Sequence, residues 1–513
     1  MTCDVLIVGG GTGGTAAALA LAKSGLSVVL TEPTRWLGGQ LTSQAVPSDE
    51  HPWIEQCGCT ARYRDFRNRI RAWYRDHRPL TPEAARNARL NPGSGWVSRL
   101  CFEPQVAVDV LEEMLAPFLA SGGLQILRHH TPVSAITNGD RVESVTLRSS
   151  ETNEHVTISC RFVLDATETG DLLPLTGTEY VVGAESKSET QEPNALDGPP
   201  EWDNVQGITW CAILGYDPDR TEPIPEPEEY SFWRDYQPEG WPAKLLSYKM
   251  LHVQRGEVID FPLFADDWFN MFNYRQIVEP SLYTDPANYG PATCMNWPMN
   301  DYYRGTIMDV APDVADQHLR SSRQLTLSMI HWVQTEGGYP GIHLRPDLAG
   351  TEDGLAMAPY IRESRRIRAL FTVCEQHVAA YTNEGCVVAP PFDDSVGVGS
   401  YRIDLHPSSN GRPTIDTSTL PFTIPLRSLV PRRITNLLPA AKNLGVTHIT
   451  NGCYRLHPVE WNIGEAAGLL AEHCLRTDRT PQQVASSEGE VKQFQARLES
   501  EGVELFWPEF RAL

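Results

Sequence analysis

The sequence of 513 residues lacks any run of eighteen or more apolar residues, so no segment is predicted to span a membrane. Basic residues are fewer than acidic residues. The chain has 43 Lys and Arg and 65 Asp and Glu, which gives a formal net charge of −22. An acidic surface repels phosphate backbones and anionic lipids, which disfavours nucleic acids and membranes as partners. With 41% hydrophobic and 21% charged residues, the chain is predicted to be an ordinary globular protein.

The eleven cysteines are scattered and odd in number, unlike the dense framework of a secreted disulfide protein. No C-x-x-x-x-C and no haem-attachment C-x-x-C-H motif occurs, which excludes a disulfide reductase and a covalently bound haem. Cys57 and Cys59 have no second cluster that would complete a zinc site. The first residues, Met1 to Asp4, carry no basic segment of a signal peptide. We therefore expect a reduced, cytoplasmic protein without a metal site.

The N-terminus contains a strand, a glycine turn, a helix and a second strand, at 4–8, 9–14, 15–23 and 26–31. Its glycines fit the spacing G-x-G-x-x-G of a dinucleotide-binding turn, in which one permits the tight turn, one lets a pyrophosphate approach and one lets helix and strand pack closely. The helix N-terminus then attracts the anion. The predicted binding residues are Gly9, Gly11, Thr12, Gly13 and Gly14.

Glu32 ends the second strand, 18 residues after Gly14, where a carboxylate can accept hydrogen bonds from ribose hydroxyls. No second G-x-G-x-x-G follows a later strand, so a separate nicotinamide-binding domain is not expected.

Hydrophobic periodicity predicts the remaining elements. Helices are predicted at 103–119, 313–335 and 361–381, and a charged tail from 477 is expected to close with a further helix. A β-meander is predicted from 124–136, 141–148 and 155–164, and a loop at 79–96. Residues 217–242 carry six prolines and are predicted to form an irregular lid or surface excursion.

Four stretches resemble the bacterial FAD-dependent oxidoreductase family of the glutathione-reductase-like, two-dinucleotide-binding-domain flavoproteins, distantly similar to fumarate reductase flavoproteins. They are the fingerprint through Glu32, then 35–43, 164–171, and 436–445 with 462–468. The resemblance implies an α/β fold, a Rossmann-type FAD-binding domain with an inserted mixed α+β substrate domain. The implied parts are 1–185 (FAD domain, first part), 186–394 (substrate domain), 395–476 (FAD domain, second part) and 477–513 (tail).

The resemblance also implies which residues contact FAD. Beyond the fingerprint these are Gly38, Gly39, Gln40, Leu41, Thr42, Ala166, Thr167, Asp171, Asn443, Asn462, Ile463 and Gly464. Segment 36–44 contains neither His nor Cys, so non-covalent FAD is expected. The chain departs from the family pattern at Glu168, where Gly is usual, and at Lys442-Asn443, where Gly-Asp or Gly-Glu is usual.

The segment 447–461 is crowded with ionisable groups and lies between the two C-terminal FAD stretches. His448, Arg455 and His457 are its candidate catalytic residues, because a histidine can take a proton at neutral pH and an arginine can clamp a carboxylate or stabilise an anionic flavin. The N-terminus of the last helix, expected at 462–465, would add a favourable dipole. Arg362 and Arg365, on the predicted helix from 361, are either substrate-binding or structural.

The preferred interpretation is an FAD-dependent dehydrogenase or oxidase that removes a hydride from a small polar metabolite and passes electrons to oxygen or another acceptor. The alternatives are a flavin monooxygenase or halogenase, an alkene reductase of the fumarate reductase kind, and a non-catalytic FAD-binding protein. The W-x-W-x-I-P signature of flavin halogenases is absent. Whether the protein is a monomer or a homodimer stays open.

Overall fold

A computed structural model describes residues 1–239, 241, 243–252, 257–265, 269–411 and 414–509. The strands of this part are β1 (Thr2–Val8), β2 (Val28–Glu32), β3 (Leu124–Arg128), β4 (His130–Asn138), β5 (Arg141–Ser149), β6 (His155–Asp165), β7 (Tyr180–Val181), β8 (Ile208–Thr209), β9 (Ala212–Tyr216), β10 (Lys249–His252), β11 (Glu257–Asp260), β12 (Gln276–Val278), β13 (Ala292–Met295), β14 (Asp301–Tyr302), β15 (Ile342–Leu344), β16 (Arg366–Ile367), β17 (Ser395–Gly399), β18 (Ile403–Leu405), β19 (Ile415–Thr417), β20 (Phe422–Pro425) and β21 (Leu437–Pro439).

The α-helices of the same part are α1 (Thr12–Leu21), α2 (Ala61–His77), α3 (Pro82–Arg86), α4 (Pro104–Ala120), α5 (Leu172–Thr176), α6 (Lys187–Thr190), α7 (Tyr230–Asp235), α8 (Met271–Tyr274), α9 (Pro312–Thr335), α10 (Pro346–Ala349), α11 (His448–Tyr454), α12 (His457–Thr477), α13 (Pro481–Ala485) and α14 (Glu488–Ser500). None of the helices within the described ranges is both long and apolar enough to cross a membrane.

The main sheet has seven strands in the order β3-β2-β1-β6-β5-β4, with β21 also beside β6. Strands β3, β2, β1, β6 and β21 run parallel, and β4, β5 and β6 form an antiparallel meander. The carboxyl ends of β1, β2, β6 and β21 therefore lie at one edge of the sheet. In open parallel sheets this is the edge where ligands bind. The chain is thus a mixed α/β protein with a parallel, Rossmann-like sheet.

The first βαβ unit, the helix from 103 and the helix from 313 form close to where periodicity predicts them. The predicted strand 124–136 is instead two strands, because His129 adopts a positive φ of 62° and breaks the run. The first half, β3, pairs with β2 in parallel and does not belong to the meander. The predicted loop 79–96 contains the short helix α3.

The helix predicted at 361–381 is wrong. This stretch is extended, pairs with β7 through β16, and continues as short 3₁₀ turns. Its periodic pattern came from charged side chains that are buried, such as Arg362, Glu363 and Arg366. Glu363 and Arg366 pair with one another, but their further partners His448 and Glu185, and the Arg362 partner Asp301, lie on distant segments.

Two large hydrophobic clusters organise the molecule. One joins α1, α2, α4 and α12 with the sheet, and the other fills the region from 208 to 361, where β12-β13-β9-β15 form a second sheet. Ala45 and Val46 belong to the second cluster, so the segment after the glycine turn connects the two.

The proline-rich segment 217–242 contains α7, whose Tyr230 contacts His331 of α9; residues 240 and 242 lie outside the described residues. All eleven cysteines are free thiols.

Candidate active site

A glycine turn and three strand ends surround a cavity of about 150 Å³. Gly9 has a φ of +101°, and a Cβ there would lie 2.2 Å from the carbonyl oxygen of Ala166, so only glycine fits between β1 and β6. The predicted cofactor residues that line the cavity are Gly9, Gly11, Glu32, Gly39, Ala166, Thr167 and Asp171. The fingerprint and the segment after β6 therefore face one space.

Glu32 lies where the sequence places it, at the end of β2 and against the glycine turn. Its Oε2 accepts a hydrogen bond from the backbone N–H of Gly10 at 3.1 Å, and its Oε1 accepts from Thr34 N–H and Oγ1 at 2.8 and 2.7 Å. Burial raises the pKa of this carboxyl to about 7. A ribose hydroxyl would add to these bonds, since each carboxylate oxygen has further lone pairs.

The glycine pair Gly38-Gly39 is hydrogen-bonded to the glycine turn at 9–14. Gly38 N–H donates to the Gly10 carbonyl at 2.8 Å, and Thr12 Oγ1 donates to the Gly38 carbonyl at 2.9 Å. No side chain caps the N-terminus of α1 at Gly11. An uncapped helix N-terminus beside closely approached glycines is the arrangement that accepts a diphosphate.

Two of the predicted cofactor glycines have a packing role. Gly13 and Gly464 meet where α1 crosses α12, and a Cβ on Gly464 would lie 2.0 Å from the Gly13 carbonyl oxygen. Gly14 packs against β1 as expected, since its Cβ would lie 1.9 Å from the Gly9 carbonyl oxygen. These contacts set the position of the helix that carries the diphosphate site.

The two departures from the family pattern are partners of one another. Lys442 is fully buried, forms an ion pair with Glu168, and lies 3.5 Å from Glu460. Glu168 Oε1 is 2.9 and 3.0 Å from the positions that a Cβ on Gly11 and on Gly39 would take. Although burial opposes the charge, the two carboxylates hold the pKa of Lys442 above its ordinary value. A carboxylate thus lies beside the turn that would receive the diphosphate.

Several predicted cofactor residues use their polar atoms within the protein. Thr42 Oγ1 donates to the Leu37 carbonyl at 2.6 Å, and Asn443 Nδ2 donates to the Asp165 carbonyl at 3.0 Å. Asn462 Nδ2 donates to the Val396 carbonyl at 3.1 Å, while its Oδ1 has no partner. Leu41 and Ile463 belong to the hydrophobic core. The glycine cradle, Glu32 and the uncapped helix together fit an adenosine diphosphate, and these other residues mainly support it.

The three candidate catalytic residues fall into two places. His448 Nδ1 lies 2.9 Å from the Glu363 carboxylate, which also pairs with Arg366, and His448 N–H donates to Glu185 at 2.8 Å. Although burial favours the neutral acid, His448 and Arg366 hold the pKa of Glu363 at about 2. His448 is therefore part of a buried ion-pair cluster that shares no hydrogen-bond partner with Arg455 or His457.

Arg455 and His457 lie on either side of the start of α12. Arg455 Nη1 donates to the Tyr360 hydroxyl at 2.9 Å and Nη2 to the Asp404 carbonyl at 3.1 Å, while Nε has no partner. His457 Nδ1 accepts a hydrogen bond from Asp49 N–H at 2.9 Å. Burial, followed by the charge of Arg275, lowers the pKa of His457 to about 3.

This corrects the expectation that His457 takes up a proton near its ordinary pKa. The ring is neutral at pH 7, and because Nδ1 accepts, its proton is on Nε2, which has no partner. The expected helix N-terminus at 462–465 is also wrong, because α12 begins five residues earlier, at His457.

Sequence reasoning missed the acids and arginines that accompany these residues. Arg275 pairs with Asp49 at 3.1 Å, and Asp404 lies 3.4 Å from both Arg455 and His406. Single charged residues on short segments, 226 positions apart for Arg275 and Asp49 and 51 for Asp404 and Arg455, have no periodic signal, so only the folded chain brings them together. Glu168 and Lys442 did have a signal, since both stand out as departures from the family pattern.

Arg362 and Arg365 are held in ion pairs. Arg362 lies 2.9 Å from Asp301 and donates to Gly207 and Thr209, while Arg365 pairs with Asp309 at 2.7 Å and with Asp171 at 3.3 Å.

His406 bonds Asp301 and faces a second cavity of about 270 Å³ together with Asp404. Nowhere in the described ranges do three or more His, Cys, Asp or Glu side chains come together as metal ligands.

Among known protein families, the chain matches one described as FAD dependent oxidoreductase over residues 4–498. No curated protein matches. A geranylgeranyl bacteriochlorophyll reductase-like structure from Thermoplasma acidophilum is 11% identical over 98% of this chain and 84% of its own, with a TM-score of 0.32. The OxyS anhydrotetracycline hydroxylase from Streptomyces rimosus is 12% identical over 98% and 66%, with a TM-score of 0.31. L-proline dehydrogenase from P. horikoshii is 16% identical, with a TM-score of 0.19; the alignment covers 36% of this chain and about a quarter (24%) of that one.

Proposed function

We propose that this chain, which belongs to the FAD dependent oxidoreductase family, oxidises a small polar metabolite. FAD is its cofactor and the chain is an FAD-dependent oxidoreductase. The glycine turn and Glu32 would hold FAD, which would supply two-electron chemistry, hydride transfer onto flavin N5 with electrons passed on to dioxygen or another acceptor. The residues discussed below bind the metabolite, orient it and move the coupled proton.

The observation that carries this proposal is a pair of hydrogen bonds from one side chain, Gln40. Gln40 Nε2 donates to the Arg455 carbonyl at 3.1 Å and to Glu460 at 2.9 Å, so the glycine-pair segment touches the segment that holds the candidate catalytic residues. The Oε1 atoms of Gln40 and Gln44, in the same segment, are buried without a partner. Buried polar atoms without partners are uncommon in folded proteins and favour a ligand at this place.

We assign different roles to the three candidate residues. Arg455 holds a polar group of the metabolite, since its Nε is free while its other nitrogens are fixed by Tyr360 and Asp404. His457 donates a hydrogen bond from Nε2. His448 is a positioning residue, because its ring is held by Glu363 and touches neither of the others.

The coupled proton needs a route to solvent, and His406 provides one. It lies between Asp301 and Asp404 and lines the cavity of about 270 Å³. Although burial and Arg362 oppose protonation, the two carboxylates raise the pKa of His406 above its ordinary value. We infer that a proton released by the metabolite passes to this group and on to water in the cavity.

The finer assignments of the fold are part of the same proposal. We infer a glutathione-reductase-like FAD domain formed by 1–185 and 395–476, with a mixed α+β substrate domain inserted at 186–394 and a tail at 477–513. We also propose that FAD is bound non-covalently. We further propose that the chain is distantly related to the fumarate reductase flavoproteins. The second hydrophobic cluster, which lies almost wholly within 208–361, supports an inserted unit.

The test is the absorbance spectrum of the purified protein, followed by anaerobic addition of a panel of alcohols, amines and hydroxy acids. We expect a yellow protein whose visible absorbance is lost with one metabolite class and returns on admission of air. A protein that stays colourless after incubation with FAD would contradict the proposal.

Two further measurements separate the alternatives. Label from ¹⁸O₂ in the product would indicate a monooxygenase, and turnover only with artificial electron donors and an activated alkene would indicate a reductase. Arg455→Met should lower the rate of anaerobic flavin reduction by about 100-fold or more, whereas Arg402→Met, at an exposed ion pair with Asp416, should leave it unchanged.

A further inference from the structure

Four buried hydrogen-bond donor atoms, on three side chains beside the start of α12, have no partner among the described residues. They are Arg275 (Nε and Nη1), Arg455 (Nε) and His457 (Nε2). The side chains of Arg455 and His457 are nearly inaccessible, and that of Arg275 is only 11% exposed. Leaving charged donors buried without acceptors is strongly unfavourable, which points to an acceptor that the protein itself does not supply.

Two of these side chains bond the same residue, because Arg275 pairs with the Asp49 carboxylate at 3.1 Å and His457 Nδ1 accepts from Asp49 N–H at 2.9 Å. The charges of Arg275 and Arg455 both act on His457, and Asp49 interacts with all three side chains. The rings of Tyr274 and Tyr360 lie 5.3 Å from the Arg275 and 5.9 Å from the Arg455 guanidinium carbon. Two arginines and one neutral N–H donor therefore lie near Asp49, and an aromatic ring borders each guanidinium group.

The carboxylates nearby are already engaged. Asp49 accepts from Arg275 Nη2, Asp404 lies between Arg455 and His406, and Glu50 is bound by Arg67 and Ser98. None of them is within hydrogen-bond reach of the free nitrogens, since those nitrogens have no acceptor at all. The missing partner must bring its own negative oxygen atoms.

A cavity lies on the other side of the segment that carries Arg275. It has a volume of about 670 Å³ and has Glu50, Trp96 and Ser98 in its wall. Trp96 and Val97 donate their N–H groups to the Tyr274 carbonyl at 3.0 and 2.9 Å, so this wall lies directly against the segment that carries Arg275. Two exposed arginines at the cavity, Arg89 and Arg99, add positive charge to an otherwise acidic protein.

We propose that Arg275, Arg455 and His457 bind a carboxylate group of the substrate, so that the metabolite oxidised by this enzyme is an organic acid. This rests on the proposed function and narrows its substrate class. Arg275 is the residue that distinguishes it, because its two free nitrogens can serve only an added acceptor. A neutral alcohol or a cationic amine would leave both arginines without an anion.

The probes are sodium acetate, malonate and oxalate at constant ionic strength, with sodium chloride and malonamide as matched references. Binding is followed by the difference spectrum of the bound flavin and by the midpoint of thermal unfolding. We expect saturable binding of a carboxylate probe and none of malonamide. Arg275→Met should weaken that binding by about 30-fold or more, and Arg275→Lys, which keeps the charge beside Asp49, by less.

Arg234→Met is the control, because it removes an exposed arginine paired with Glu336. It should leave the affinity unchanged. If Arg275→Met does not fold, Arg275→Met/Asp49→Asn, which removes the orphaned carboxylate as well, takes its place. Equal binding of malonamide, no binding of any carboxylate probe, or unchanged affinity in the Arg275 variants would overturn the inference.

The two proposals fail in different ways. A protein that holds no FAD but is stabilised by malonate through Arg275 would retain the anion site and lose the proposed function. A yellow protein that is reduced by a neutral metabolite and ignores carboxylates would retain the function and lose the anion site.

Discussion

The Glu168–Lys442 pair places a negative and a positive charge at the N-terminus of α1, where a diphosphate would bind. The carboxylate repels the diphosphate and the ammonium attracts it, so the two residues should act on cofactor affinity in opposite directions. Because Lys442 is fully buried and also lies near Glu460, its charge is fixed in place by the fold. Glu168 is more accessible, with a quarter of its side chain exposed, and can turn away.

Replacing the carboxylate should strengthen FAD binding. We expect Glu168→Gln to lower the Kd for FAD by about tenfold, equivalent to about 1.4 kcal/mol, because one like charge beside the diphosphate is removed. Lys442→Met should raise the Kd by at least as much. Titration of the apoprotein with FAD, followed by flavin fluorescence, measures both.

Glu226→Gln, at an exposed acid, serves as the control and should not change the Kd. If Glu168→Gln weakened FAD binding, the carboxylate would instead be a ligand that the cofactor needs.

His457 should leave a signature in the pH dependence of stability. Its pKa of about 3 in the fold lies below the ordinary 6.5, so the unfolded chain binds an additional proton between these values and stability falls as the pH is lowered through them. Relative to His457→Gln, the wild type should lose about 2 kcal/mol of its free energy of unfolding between pH 6.5 and pH 5. Urea unfolding at the two pH values provides the measurement.

The exposed His155→Gln variant should follow the wild type across the same range. Parallel curves for the wild type and His457→Gln would show that the histidine is not held neutral.

At the scale of elements, the crossing of α1 and α12 sets the distance between the diphosphate end and the candidate catalytic end of the site. The crossing is close because Gly13 and Gly464 bring backbone against backbone. Sequence inspection assigned both to cofactor binding, since the fingerprint explains the first and the family resemblance the second. Their main physical role is the approach of two helices, which no local pattern shows.

A methyl group at this crossing should separate the helices. We expect Gly464→Ala to destabilise the fold by about 3 kcal/mol, because its Cβ would overlap the Gly13 carbonyl, and to weaken FAD binding as well. Chemical denaturation gives the first effect and flavin fluorescence the second. Gly489→Ala in α14, where the nearest atom is 3.9 Å away, should be neutral or stabilise by up to about 1 kcal/mol. Equal effects of the two substitutions would contradict the packing role.

At the scale of the whole molecule, the lining of the cavity beside the glycine turn includes that turn, the ends of β2 and β6, the start of β4 and Ala358. A ligand at this place therefore touches segments that are far apart in the chain and stabilises their arrangement by mass action. FAD at 100 times its Kd should raise the free energy of unfolding by about 2.7 kcal/mol. The midpoint of urea unfolding, followed by tryptophan fluorescence with and without FAD, measures this stabilisation. A midpoint that does not change when FAD is added would contradict FAD binding at this cavity.

The sequence by itself determined the βαβ unit, the glycine turn and the placing of Glu32, because these depend on residues within about thirty positions and on spacing that a single strand–helix unit enforces. It also marked 447–461 as rich in ionisable groups. Only the tertiary structure decided that His448 belongs to an ion-pair cluster with Glu363, that 361–381 is extended, and that Arg275 and Asp49 stand beside Arg455 and His457. Burial and long-range pairing decide whether these residues are charged, which partners they have and which of their donor atoms are free. Local periodicity in the sequence shows neither burial nor long-range pairing.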